Sequence, residues 1–255
     1  MDLNYFKKIR ILDSGMGQEL LARGLVTKGT LWSATSLIDE KFNDLVVDTH
    51  LSSIEAGAEV ILTNTFTTRR VRMDQNQVGK LFKFANKKAC ELAIRAKKLS
   101  KKNILIAGSL PAQNDTYEVD RRDENIIEKN FFDQASIINP YIDFFYLDVL
   151  SSGREVEIAS RVTSKFNKPV LVGLHIKKNC KLASNESIAS VVNKYRNNNW
   201  LGIIAACVSL EIIEKISEEM NSLNLPFGFK ANLWAVEEPL PVHRFNDAKH
   251  NEIGK

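Results

Sequence analysis

The sequence predicts an α/β fold of the eight-stranded barrel type, and three observations carry that expectation. Short apolar runs alternate with amphipathic helical patterns along most of the chain, which implies parallel strands joined by crossovers. The runs are mostly continuous rather than alternating, as in strands buried on both faces. Polar residues follow the runs closely, at Asp13, Thr63-Asn64-Thr65, Ser109, Asp148, His175 and Cys207. A barrel gathers such strand ends on one face, where its active site lies. The other arrangement, an open doubly wound sheet, often begins with a glycine-rich dinucleotide fingerprint. Here Asp13-Ser14-Gly15-Met16-Gly17-Gln18-Glu19-Leu20 has only Gly15-x-Gly17, with Leu20 where the third glycine belongs. The barrel is therefore favoured.

Taken in order, the strand candidates are residues 9–13, 59–63, 104–108, 142–147, 169–174, 201–205 and 227–231. The first helical pattern runs from Asp39, with Phe42, Leu45, Val46 and Ile54 apolar, to Gly57 at the position of a C-terminal cap. Further helices are read at 80–99, 124–139 (stopped by Pro140), 154–166, 187–197 and 209–223. No linker or low-complexity tract divides the chain, so residues 1–255 are read as one domain. Only seven strands are found, and after Ala231 the chain runs through Pro239 and Pro241 into a polar tail. A (β/α)8 barrel of this length is therefore expected to lack its last helix and strand, leaving two edges unpaired.

Composition excludes several classes of function. The 255 residues carry 35 Lys plus Arg against 31 Asp plus Glu, a formal charge of +4, with 44% hydrophobic residues. That content is globular rather than disordered. Many of the basic residues lie between 80 and 102, where Leu81, Ala85, Ala89, Leu92, Ala96 and Leu99 recur at helical spacing. The lysines fall between them, so this is a helix with a solvated basic face rather than a nucleic-acid surface. There is no apolar run long enough for a membrane span and no secretory signal at the N-terminus. Three cysteines, Cys90, Cys180 and Cys207, form no disulfide framework, and a reduced, cytoplasmic protein is expected. A homo-oligomer is left open.

Three blocks carry a resemblance. They are Ile11-Leu12-Asp13-Ser14-Gly15-Met16-Gly17-Gln18-Glu19-Leu20, Leu31-Trp32-Ser33-Ala34 and Ala56-Gly57-Ala58-Glu59-Val60-Ile61-Leu62-Thr63-Asn64-Thr65-Phe66. Together they resemble the homocysteine S-methyltransferase family, and the similarity continues through 143–155, 168–174 and 203–211. The resemblance implies transfer of a methyl group from an onium or related donor to the thiol of homocysteine, giving methionine. It also implies a zinc ion that deprotonates the thiol.

By the same resemblance, Cys207 matches one of three zinc-binding cysteines. The other two belong to a Gly-Gly-Cys-Cys segment, and the sequence has no Cys-Cys or Cys-x-x-Cys. Asp13, Ser14 and Gly15 match the homocysteine-binding turn after the first strand, with Ser14 replacing a family glycine. Asp148 matches a glutamate that binds the substrate ammonium. Trp32 matches a tryptophan on the donor side, where an aromatic face attracts an onium.

Other residues are read without the family. Thr63, Asn64 and Thr65 either bind substrate or satisfy their own loop. Arg69, Arg70 and Arg72 either face outward or hold a donor carboxylate. His50 reads as a packed or capping residue, and a substitute zinc set of His175, Cys180 and Cys207 is conceivable. Two further functions compete with the enzyme: a degenerate barrel that binds a small molecule or partner without catalysis, and a Schiff-base enzyme using Lys230.

Overall fold

The computed structural model describes residues 4–13 and 15–232. Ser14, the proline-containing tail, His243 and His250 lie outside the described residues.

Six parallel strands are formed: β1 (Val60–Leu62), β2 (Leu105–Pro111), β3 (Phe144–Leu150), β4 (Val170–Leu174), β5 (Trp200–Val208) and β6 (Phe227–Ala231). Their order in the sheet is their order in the chain, β1 through β6. A doubly wound sheet reverses its strand order at a switch point. This sheet never does, and it curls as a barrel does. The expected first strand at 9–13 is reduced to a single parallel bridge, Leu12 to Val60. Ile9 is 96% exposed, so among the described residues this segment has a β neighbour on one side and nothing packed over part of its length. The expected seven strands are thus six strands and a bridge.

The helices are α1 (Met16–Ala22), α2 (Thr35–Ile38), α3 (Asn43–Glu55), α4 (Arg70–Gln75), α5 (Phe82–Ser100), α6 (Glu124–Ile138), α7 (Gly153–Ser164), α8 (Ile188–Tyr195) and α9 (Leu210–Ser222). The longer ones follow the sequence pattern. Gly57 takes φ 108° just past α3, a conformation glycine adopts without strain. In α5 the residues Ala85, Ala89, Leu92 and Ala96 are buried, while the expected Leu99 is exposed. Cys90 is buried on that helix, and burial pushes its thiol up to about 12, so it is an inert core group. Helices α6 to α9 begin on side-chain caps from Asp123, Ser152, Ser187 and Ser209. The short α1, α2 and α4 were absent from the sequence reading, because each is too brief to show a helical period.

Two apolar layers sandwich the sheet. Phe145, Leu147, Val172, Ile203 and Ala205 face the helices, while Phe144, Tyr146, Leu171, Ile204 and Ala206 face the interior of the curl. Phe6, in the short 3-10 turn Tyr5–Lys7, packs edge-on against Phe144 at 5.7 Å and closes the lower end of that interior. The upper end stays polar. No helix among the described residues is long and apolar enough to cross a membrane.

Candidate functional site

Strand alternation brings the polar groups to the upper mouth. On β3, Phe144 and Tyr146 point inward, so Asp148, two residues on, does too. The register to β4 then shifts between Leu147 and Leu150, with Val149 at φ 63°. On β5, Ile204 and Ala206 point inward, so a regular strand would turn Cys207 toward the helices. Instead the register to β6 shifts between Ala206 and Val208, and Cys207 takes φ 57°. This bulge re-aims Cys207 at the interior cluster and returns Val208 to the helix side. A cysteine and a valine in the left-handed region are both strained, and the mouth of the curl holds both.

Asp13 is buried; its backbone N–H donates to Val60 O, and its Oδ2 accepts from Leu62 N at 3.1 Å. His50 of α3, fully buried, sets its Nδ1 3.5 Å from the same oxygen. Asp13 Oδ1 has no hydrogen-bond partner among the described residues. Asp148 Oδ2 accepts from Ser109 Oγ at 2.9 Å, and its Oδ1 lies 3.5 Å from Lys230 Nζ. Lys230 points inward from β6, whose outward Phe227 and Phe229 are exposed. Desolvation pulls its ammonium down, but Asp148, Cys207 and Asp13 outweigh this and hold it above its ordinary value. An amine nucleophile needs the opposite shift, so this environment does not favour the Schiff-base reading.

Burial pushes the Cys207 thiol up, opposed by the Lys230 charge. Tyr117 lies in the same interior cluster and cavity wall as Cys207, and its ring lies 4.6 Å from that of His175. His175 is buried, and desolvation lowers it to about 4, which leaves it neutral at pH 7. Cys180 sits apart, in the turn where its N–H donates to Lys177 O. Among the described residues no three His, Cys, Asp or Glu side chains are grouped to hold a metal ion. The substitute His175, Cys180 and Cys207 set is therefore not assembled there.

Trp32 stands edge-on to Phe66, centroids 6.3 Å apart. Gly17 of α1 is required under it, since a Cβ there would meet the indole at 2.3 Å. Thr63 and Asn64 reach the cavity but are already engaged. Thr63 Oγ1 accepts from Ser109 N, and Asn64 Nδ2 donates to Ser33 O and Ser36 Oγ. Thr65 is fully buried and donates to Ser109 O. The arginines do not all face outward. Arg69 is buried, donates to Thr116 Oγ1, and is lowered to about 9 by burial and by the Arg72 charge. Arg72 reaches Asp115 at 3.5 Å, and Arg70 lies over the Phe82 ring.

One cavity of about 2050 Å³ joins the mouth to the gap between residues 6–13 and β6. It is lined by Asp13, Gly15, Trp32, Thr63, Asn64, Phe66, Ser109, Tyr117, Tyr146, Asp148, Cys207 and Lys230, among others. Sequence reasoning did not single out His50 as the partner of Asp13. It also missed Tyr117, in a loop without pattern, and weighed Lys230 only as a nucleophile. A lysine at an inward position of an otherwise apolar strand was the available signal for the last.

The comparisons with known proteins agree with this architecture. Residues 10–249 match the family model described as homocysteine S-methyltransferase. The Homocysteine S-methyltransferase 2 of Saccharomyces cerevisiae is 31% identical over 78 residues, a match covering 28% of this chain and 24% of the yeast protein. The match thus spans about a quarter of that relative's length. The crystal structure of the homocysteine methyltransferase MmuM from Escherichia coli in its metallated form superposes with a TM-score of 0.73 at 15% identity. It covers 89% of this chain and 94% of that one. The apo form gives 0.68 at 17% identity, over 91% and 86%. With nearly its whole length matched by the family model, this chain belongs to the homocysteine S-methyltransferase family.

Proposed function

We propose that the mouth binds homocysteine and that a methyl group is transferred there to its sulfur, giving methionine. The observation that carries this reading is the convergence of Asp13, Asp148 and Cys207 on one cavity, in a chain of this family. The ammonium of the substrate is set between Asp148 and the unpartnered Oδ1 of Asp13. Its thiol extends toward Cys207 and Tyr117. In the transfer, a sulfur–methyl bond forms as the donor's onium–methyl bond breaks, and the thiol proton leaves to solvent. The chain contributes mainly by holding the two reactants in line. Trp32 and Phe66, both on the cavity wall, offer aromatic ring faces to a cationic donor.

The family implies zinc, which when bound lowers the pKa of a coordinated thiol. Cys207 has no second and third donor grouped with it among the described residues, so the residues there do not fit a zinc site. No step is derived through the metal. The same observation favours a second reading, in which the site binds its ligand without turnover.

Methionine formation separates the two. The chain is incubated with homocysteine and, in turn, betaine, S-methylmethionine, S-adenosylmethionine and a methyl-folate. Methionine formed with any donor, and lost in Asp148→Asn, supports the enzyme. Homocysteine binding without methionine supports the second reading, and no homocysteine binding overturns both.

A further inference from the structure

We propose that Lys230 is the residue that recognises the carboxylate of the amino-acid substrate, so that Asp148 and Lys230 together form a clamp for a zwitterion. The inference rests on the reading of the mouth as the homocysteine site and adds a specificity-determining residue to it.

The geometry carries the argument. Lys230 Nζ and Asp148 Oδ1 are 3.5 Å apart, longer than the 2.7–2.9 Å of a tight charge-assisted hydrogen bond. The pair is slack, and both side chains line the cavity. Each therefore keeps hydrogen-bonding capacity for a third group. Among the described residues the mouth holds two buried carboxylates, Asp13 and Asp148, and Asp13 Oδ1 has no hydrogen-bond partner. Lys230 Nζ lies against Asp148 and lines the same cavity as Asp13. A bare ammonium ligand would satisfy the acids but compete with Lys230 for Asp148. A ligand bearing both an ammonium and a carboxylate on one carbon avoids that competition. Its ammonium takes Asp148 and Asp13, and its carboxylate takes the lysine released from Asp148. The ring of Tyr146, 5.6 Å from Lys230 Nζ, supports the ammonium from below and limits its swing.

The clamp is tested by calorimetric titration of the full chain with homocysteine and two truncated thiols. One is 3-aminopropanethiol, which lacks the carboxylate; the other is 4-mercaptobutanoate, which lacks the amine. The wild-type chain is expected to bind homocysteine about tenfold or more tighter than 3-aminopropanethiol. Lys230→Met is expected to abolish that preference and to strengthen 3-aminopropanethiol, which no longer competes with the lysine for Asp148, and Lys230→Arg to retain most of the preference. Asp148→Asn is expected to weaken 3-aminopropanethiol and spare 4-mercaptobutanoate. If Lys230→Met keeps the full preference, or the wild-type chain shows none, the clamp is overturned while homocysteine binding stands. If homocysteine does not bind at all, the reading of the site falls with it. The wild-type comparison needs no variant to fold.

Discussion

The middle of the sheet and its two edges are built from the same strand chemistry but live in different surroundings. Strands β2 to β5 each have neighbours on both sides, and Phe144, Phe145, Tyr146 and Leu147 are fully buried. At the edges, residues 9–13 make one bridge, and β6 leaves Phe227 and Phe229 40% and 38% exposed. Side chains of similar size thus contribute very differently to stability, because burial rather than strand propensity decides. The chemistry straddles the two regions. Asp148 is anchored in the middle, whereas Lys230 and Asp13 come from the edges, and they meet across the mouth. The fixed half of the site is held by packing, and the other half depends on how the edges are held.

The contrast is broken first by truncation. Phe145→Ala is expected to cost about 3–5 kcal/mol in urea unfolding, since it opens a cavity against the helix layer. A cost below about 1 kcal/mol there would show that the middle is loosely packed.

A pH dependence sharpens the same point. Glu155, buried at the start of α7, accepts from Ser152 Oγ at 2.8 Å and from Ser151 N at 3.3 Å. Desolvation raises it to about 7 from an ordinary 4.5. Its folded form therefore holds a proton that the unfolded form releases. The associated stability is present below pH 4.5 and declines by about 1.4 kcal/mol per unit toward pH 7. His175 does the reverse. Lowered to about 4 from 6.5, it contributes stability above pH 6.5 that is lost as pH falls toward 4. The two slopes oppose one another between 4.5 and 6.5. Glu155→Gln is expected to unmask the His175 slope, so that stability measured by denaturant falls on acidification through this window. An unchanged profile would contradict the burial of Glu155.

At the edges the expected effects are small. Phe229→Ala should cost less than about 1 kcal/mol in the same unfolding measurement, because much of the ring is already in water. Ile9→Lys should change stability by less than about 0.5 kcal/mol. A large loss in either variant would mean that the edge is covered in solution, and a sedimentation measurement would then report association.

Much of this was legible in the sequence, for identifiable reasons. Continuous apolar runs marked β2 to β5 because both faces of those strands are buried. Gly57 marked the end of α3 through its backbone freedom, and Asp148 was found because it is a polar residue directly after the apolar run 142–147 and matches a family glutamate. The first strand was over-read: its residues are strand-like, but a strand needs neighbours, and among the described residues the segment 9–13 has too few. Cys207 was placed at the mouth by its strand-end position and by resemblance, whereas parity alone would have turned it outward. The bulge that re-aims it leaves no mark in composition. Tyr117 and His50 were equally hidden, since one contributes through a patternless loop and the other through a long-range approach to Asp13.

The most direct test of the central claim is a crystal structure of the chain with homocysteine bound. The ammonium is expected on Asp148, the carboxylate on Lys230 and the sulfur beside Cys207. Homocysteine seated instead in the gap between residues 9–11 and β6, with the Asp148–Lys230 pair undisturbed, would contradict that claim.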